Sequence, residues 1–148
     1  MSRFWLNWMT TWCRAVALFG AVLTLAAFEA TDGPVVYLLD IMNGASPLEV
    51  TRPLRFAVAL MGAVTLGWGL TLLAAVRAAD ELVERGAAVW RAIAAGVLFW
   101  YVVDSALSVA TGFALNAVSN TAFLVAFLIP LSRSGVLRPG PRVQRAHA

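Results

Sequence analysis

The segment FWYVVDSALSVATGFALNAVSN, residues 99–120, sets one carboxylate and several hydroxyls and amides into an apolar run. At helical spacing Asp104, Ser108 and Thr111 share a face, with Ser105 adjacent, and Asn116, Ser119, Asn120 and Phe123 share a face further on. A carboxylate accepts hydrogen bonds, holds a cation or carries a proton, and an asparagine amide offers both donor and acceptor. The set suits a ligand or proton site. It equally suits an interhelical hydrogen-bond clasp with no ligand. It argues against an enzyme, because catalysis needs a second reactive group beside Asp104, and no His, Cys or Lys lies at that depth in any apolar segment. The one histidine, His147, lies in the tail, and Cys13 is the only cysteine, so neither a metal site nor an internal disulfide is written here. No motif calls for a cofactor.

The elements that position these residues are membrane spans. Hydrophobic residues make up 61% of the chain and charged residues 13%, and the mean hydropathy is +0.80. Soluble domains are roughly 45–50% apolar and about 25% charged. A spanning helix needs roughly 20 mostly apolar residues. Four segments qualify, with spans expected at about 12–29, 54–77, 88–111 and 113–132 of a single 1–148 integral membrane domain. Only Thr111-Gly112 separates the last two, which predicts a tight antiparallel hairpin. The expected fold is all-α: a four-helix transmembrane bundle, up-down-up-down, with a short helix in the outer loop.

All 11 basic residues are arginines. Four spans collect nine of them, Arg3, Arg14, Arg77, Arg85, Arg91, Arg133, Arg138, Arg142 and Arg145, on the side of both termini, and leave Arg52 and Arg55 on the other. The positive-inside rule then places the N- and C-termini in the cytoplasm, in a bacterial inner membrane. The arginines are scattered and form no basic face with interleaved aromatics, so no nucleic acid is expected as partner. Trp5, Trp8, Trp12 and Trp90 fit an interfacial aromatic belt. A secretory signal in residues 3–30 is disfavoured, because Arg14 and Trp12 interrupt the apolar run and Leu25 or Phe28 stands where cleavage wants a small residue.

In the outer loop, 30–53, Asp32-Gly33-Pro34 reads as a helix start and Asn43-Gly44 as its end. The resulting short helix lies on the membrane surface or tucks over the bundle. Ser46-Pro47-Leu48-Glu49 reads as a capping box, and Pro53 as the start of the second span or a kink in a longer helix. Glu29 and Asp32 read as solvated end and cap residues. The inner loop, with Asp80, Glu81 and Glu84, reads as a solvated helical extension ended by Gly86, and the tail 133–148 as disordered towards its end.

By depth, Asp104 falls about 10 Å below the outer boundary at ~1.5 Å per residue. Asn120 falls at a similar level, Asn116 one turn above, and Thr24 and Thr65 also fall near this layer. Trp68, Trp100 and Tyr101 fall one layer deeper, as an aromatic floor. A central aspartate costs roughly 2.5–3.5 kcal/mol on insertion scales. Two arrangements reduce that cost: Asp104 carries a proton and bonds to Asn120 or Ser108, or it stays charged and pairs with Arg52 or Arg55 dipping in from the loop. Along the second span Ala59, Ala63, Gly67, Thr71 and Ala75 recur at steps of four, a small-residue stripe for close helix packing within the bundle or, less favoured, across a dimer.

Three motifs carry a resemblance: Gly67-Trp68-Gly69 in the second span, Tyr101 to Asp104-Ser105 in the third, and Asn116 and Asn120 followed by Pro130-Leu131 in the fourth. Over residues 56–131 the chain resembles a family of small uncharacterised bacterial four-span integral membrane proteins. The resemblance implies the fold and transfers no activity. Two functions follow as expectations. One is a binding protein with an outward-facing polar pocket for a small molecule, lipid headgroup or proton, lined by Asp104, Ser105, Ser108, Asn116, Ser119, Asn120, Trp68, Trp100 and Tyr101. The other is a structural or accessory subunit that packs through its stripe, with Asp104 as a clasp. The expected partners are membrane lipid and either a second copy of the chain or another membrane protein.

Overall fold

A computed structural model describes residues 1–82 and 86–138. The helices are α1 (Arg3–Thr24), α2 (Gly33–Met42), α3 (Arg52–Glu81), α4 (Gly86–Ala110) and α5 (Ala114–Ser134), and a 3₁₀ turn, Leu25–Ala27, prolongs α1. α1 with its 3₁₀ turn, α3, α4 and α5 are each long and apolar enough to cross a bilayer, and they alternate in direction. The four-span bundle and the short loop helix expected from the sequence are both present. Glu84, Arg85 and the end of the tail, 139–148, expected to be disordered, lie outside the described residues.

Several boundaries move for local reasons. α1 begins at Arg3, well before its apolar run, because the Ser2 hydroxyl sits at the N-cap and accepts from the Trp5 amide. Ser46–Val50 is not helical. The expected capping box gives way to a fold-back in which the Asp40 carboxylate accepts from the Leu48 amide at 2.8 Å. α3 starts instead with Thr51 as cap and Pro53 in its first turn. Its polar extension stops at Glu81, and Gly86 opens α4 rather than ending α3. A methyl group on Gly86 would stand 2.6 Å from the Ala79 carbonyl, so glycine lets the chain reverse against α3.

α1 is the central helix. Half of its apolar window is buried in the protein, against 11% for α4. Its closest partner is α3, and the contact is backbone to backbone. A Cβ on Gly62 would lie 2.6 Å from the Thr24 nitrogen and 2.8 Å from the Gly20 carbonyl oxygen, and one on Gly69 would lie 2.6 Å from the Ala17 nitrogen. The interface therefore runs through Ala17, Gly20, Gly62 and Gly69. It does not run through the middle of the stripe expected from the sequence, although Ala59 and Ala75 at the stripe's ends pack against the core. Ala63, Gly67 and Thr71 are exposed on the outside of the bundle, and nothing stands within 4 Å of a Cβ built on Gly67. A step of four marks a face but does not say which face a partner takes.

Two tryptophans assigned to an interfacial belt are core residues instead: Trp12 is 6% and Trp90 2% exposed. They pack with Met9, Val16, Val76, Val97 and Phe127. Trp12 and Trp8 also tie α1 to α5, donating indole N–H bonds to the carbonyls of Phe123 and Ala126, both at 2.9 Å. The reason lies in α5. Pro130 has no N–H, so the Ala126 carbonyl four residues earlier has no helical donor. Trp8 supplies one.

At the opposite end Arg55 joins three elements. Its guanidinium donates to Asp32 Oδ2 at 2.6 Å and to the Ala26 carbonyl at 3.0 Å, with Glu29 at 4.0 Å. Asp32 stands at the N-cap position of α2 but makes no side-chain cap bond, because its carboxylate is committed to Arg55. This corrects the view of Asp32 as a solvated cap; Glu29 is 90% exposed and fits it. α2 tucks over the bundle, with Val35 buried against Leu23, Ala26 and Val58.

Candidate functional site

The turn between α4 and α5 sets the register of everything below it. Gly112 takes φ +87°, the left-handed conformation that closes a helix. Phe113 N–H donates to the Ser108 carbonyl at 2.8 Å and Gly112 N–H to the Val109 carbonyl at 3.2 Å. These two bonds form a Schellman cap. α5 then starts at Ala114 and returns along α4 with Asn116 and Asn120 facing Asp104.

Asp104 Oδ1 is the hub. It accepts from Asn120 Nδ2 at 2.7 Å, Asn116 Nδ2 at 2.9 Å and Ser108 Oγ at 3.2 Å. Ser108 also donates to the Asp104 carbonyl at 2.7 Å and accepts from Asn116 Nδ2 at 2.8 Å. Asn120 Nδ2 reaches Ser105 Oγ at 3.5 Å. The amide orientations follow from chemistry, since a carboxylate oxygen needs donors. The sequence paired Asp104 with Asn120 or Ser108; both contacts form, and Asn116 joins them on the same oxygen.

Asp104 Oδ2 has no hydrogen-bond donor among the described residues. It is not a buried orphan either, because Ser134 Oγ alone among the described side chains is in that state. The carboxylate is thus divided: one oxygen holds the hairpin and the other is open. The expected alternative of an ion pair with Arg52 or Arg55 is not realised. Arg55 is engaged by Asp32 and Arg52 is exposed. The loop acid outcompetes Asp104 because it lies beside the first turn of α3, where Arg55 is rooted.

Asp104 lines a cavity of about 560 Å³ to which all five helices contribute. That volume falls in the usual range of small-molecule sites, about 300–1,000 Å³. The polar wall is Asp104 and Ser108 from α4 and Thr111 from the turn, with Asn116, Ser119 and Asn120 from α5. Facing it are apolar side chains of α1, α2 and α3, with Thr65 the one hydroxyl among them. Trp68 and Trp100 also line the cavity, their ring centroids 5.3 Å apart at 43°. Trp12 meets Trp68 edge-on behind them. Among the described residues Asp104 is the only ionisable side chain in the lining.

Most of the residues singled out from the sequence converge here, with differences. Ser105 supports Asn120 but is not part of the lining. Tyr101 is not part of it either; its hydroxyl pairs with Thr121 Oγ1 at 3.1 Å. Thr65 reaches the cavity wall, whereas the Thr24 hydroxyl bonds back to the Ala21 carbonyl. Sequence reasoning missed Phe19 and Leu23 of α1 and Leu38, Leu39 and Met42 of α2, which close the cavity opposite the polar wall. Apolar residues in a membrane protein carry no mark that separates a cavity wall from a lipid contact. For α2 the signal was its apolar surface, which needed somewhere to be buried. Compared with protein-family models, curated proteins and solved structures, the chain matches none.

Proposed function

We propose that this multi-pass membrane protein binds a small, largely apolar molecule in the five-helix cavity, with Asp104 as its polar anchor and Trp68 and Trp100 as part of the wall. The observation that carries this reading is the divided carboxylate. A clasp uses Oδ1 alone, and an intramembrane carboxylate costs several kcal/mol to place, so asparagine would serve a clasp at lower cost. The open Oδ2, in a cavity of ligand size, is what a clasp does not need. The arginine bias of the sequence, with Arg3, Arg77, Arg91, Arg133 and Arg138 among the described residues towards the end opposite the hairpin, supports cytoplasmic termini, a bacterial inner-membrane location and a cavity on the outward half.

Thiol protection tests this. Cys13 is fully buried, so a Cys13→Ala background carries one introduced reporter. Thr65→Cys places a thiol in the cavity and Val64→Cys places one on the outside of α3. N-ethylmaleimide labelling is followed with 4-phenylbutylamine, 4-phenylbutanol and 4-phenylbutyrate as probes. At least one probe slows labelling at 65 and leaves 64 unchanged. If no probe does so, the binding reading fails.

A second reading, a structural or accessory subunit, is supported by the exposed Ala63, Gly67 and Thr71 face, which suits close approach by a second copy or another membrane protein. A Gly67→Cys protein that forms no disulfide dimer and co-purifies with no membrane partner sinks it.

A further inference from the structure

We infer that the cavity selects an organic cation, an ammonium group on an aromatic or apolar body, over neutral and anionic molecules of the same shape. This rests on the binding reading above and adds the class of ligand.

The polar wall of the cavity offers acceptors. The N–H and O–H groups there are already committed. Asn116 Nδ2 gives its two hydrogens to Asp104 Oδ1 and Ser108 Oγ. Asn120 Nδ2 gives its two to Asp104 Oδ1 and Ser105 Oγ. The hydroxyls of Ser108, Ser119 and Thr111 donate to the carbonyls of Asp104, Leu115 and Leu107. What is left over is acceptors. Asp104 Oδ2 and the side-chain oxygens of Asn116 and Asn120 receive no hydrogen bond from a described residue, and none of them is a sealed orphan. The three open acceptors of the polar wall match an ammonium, which has three donors and no acceptor; the donors of the lining that make no bond to a described residue, the Thr65 hydroxyl and the indole N–H groups of Trp68 and Trp100, lie outside that polar cluster.

Charge points the same way. The one ionisable side chain in the lining is an acid, and it has no ion-pair partner among the described residues. Arg55, which could have neutralised it, is held by Asp32 and the Ala26 carbonyl. A carboxylate-bearing ligand would set a second acid beside Asp104, with no basic side chain among the described residues of the lining to offset it. The paired rings of Trp68 and Trp100 in the same cavity suit a cation, whose charge is attracted to an indole face.

The labelling assay with the Thr65→Cys reporter separates the possibilities, the probes being compared at equal micelle-bound concentration. At pH 7 phenylbutylamine is cationic, as a lysine amine is. A hydrogen bond to a charged group contributes more than a neutral one by roughly enough for a tenfold change in affinity. The expected order is therefore amine over alcohol by about tenfold, with butyrate weakest. In the Asp104→Asn protein, whose amide keeps the shape and an acceptor for the clasp, amine and alcohol should protect alike. The order in the unsubstituted site decides by itself, so a poorly folded variant does not spoil the test. Alcohol equal to amine, or butyrate strongest, overturns the cation inference and leaves the binding reading standing; protection by none of the three overturns the binding reading itself.

Discussion

Replacing Gly62 by alanine adds one methyl group at the place where α1 and α3 touch through their backbones. The new Cβ would lie 2.6 Å from the Thr24 nitrogen and 2.8 Å from both the Gly20 oxygen and the Leu23 carbonyl carbon. Non-bonded heavy atoms sit comfortably at about 3.5–4.0 Å. The helices must therefore part by roughly 1 Å along this line, and no side-chain rotamer can relieve the clash because all three neighbours are main chain. Overpacking in well-packed interiors costs typically about 1–3 kcal/mol, and a rigid backbone neighbour puts Gly62→Ala at the upper end, about 3 kcal/mol. Gly67→Ala is the matched control. It lies in the same helix with nothing within 4 Å of the added methyl, and removal of a mid-helix glycine makes it neutral or stabilising by up to ~1 kcal/mol. Reversible denaturant unfolding of the two purified variants in mixed micelles, followed by tryptophan fluorescence, measures the difference. Equal stabilities, or a larger loss for Gly67→Ala, would refute the placement of α1 against the Gly62 face.

Three further outcomes follow from the contacts described. Asp104→Ala leaves the Asn116 and Asn120 amides without their shared acceptor and should lower stability by about 2 kcal/mol, whereas Asp104→Asn should cost less than about 1 kcal/mol in the same unfolding assay. Trp8→Phe removes the only side-chain donor to the Ala126 carbonyl among the described residues and should cost about 1 kcal/mol; in a Pro130→Ala background the helix regains its own N–H donor, so the same change should cost clearly less, and an additive double-mutant cycle would remove the link between Trp8 and Pro130. Arg55→Ala strands Asp32, itself only 16% exposed, and should cost about 1–3 kcal/mol, with a coupling near 1 kcal/mol or more to Asp32→Ala; a coupling of zero would mean that the pair does not hold α2 in place.

The polar layer was legible in the sequence because a two-residue connection leaves little choice of register. With Thr111-Gly112 as the turn, Asp104 and Asn120 must fall level, and the acid must face inward to avoid lipid. The tryptophans were not legible. An indole at an interface and an indole in a core have the same neighbours in sequence, and the missing donor at Pro130 explains only why Trp8 turns towards α5; Trp12 is drawn there by its packing against Phe123 and Phe127. The α1–α3 interface was misread for a related reason. Small residues at steps of four are conspicuous, yet the contact uses Gly62 and Gly69, seven apart, against Ala17 and Gly20, and a pairing between two helices is not visible in either alone. The loop acids showed the same limit, since Asp32 could equally cap its own helix or bind an arginine more than twenty residues away.

The α4–α5 hairpin has a consequence for how the chain is made. Among the described residues, every side-chain partner of the Asp104 carboxylate lies within sixteen residues of it, on the same hairpin. Contacts so close in sequence form quickly and need no other part of the protein. The last two spans can therefore enter the bilayer as a pair, with the acid's bonds to Ser108, Asn116 and Asn120 made before lipid surrounds it. α1, synthesised first, has the opposite history. Its glycine contact with α3 and its indole bonds to α5 must wait until those helices exist, so the most buried helix of the finished bundle is also the one that waits longest for its partners.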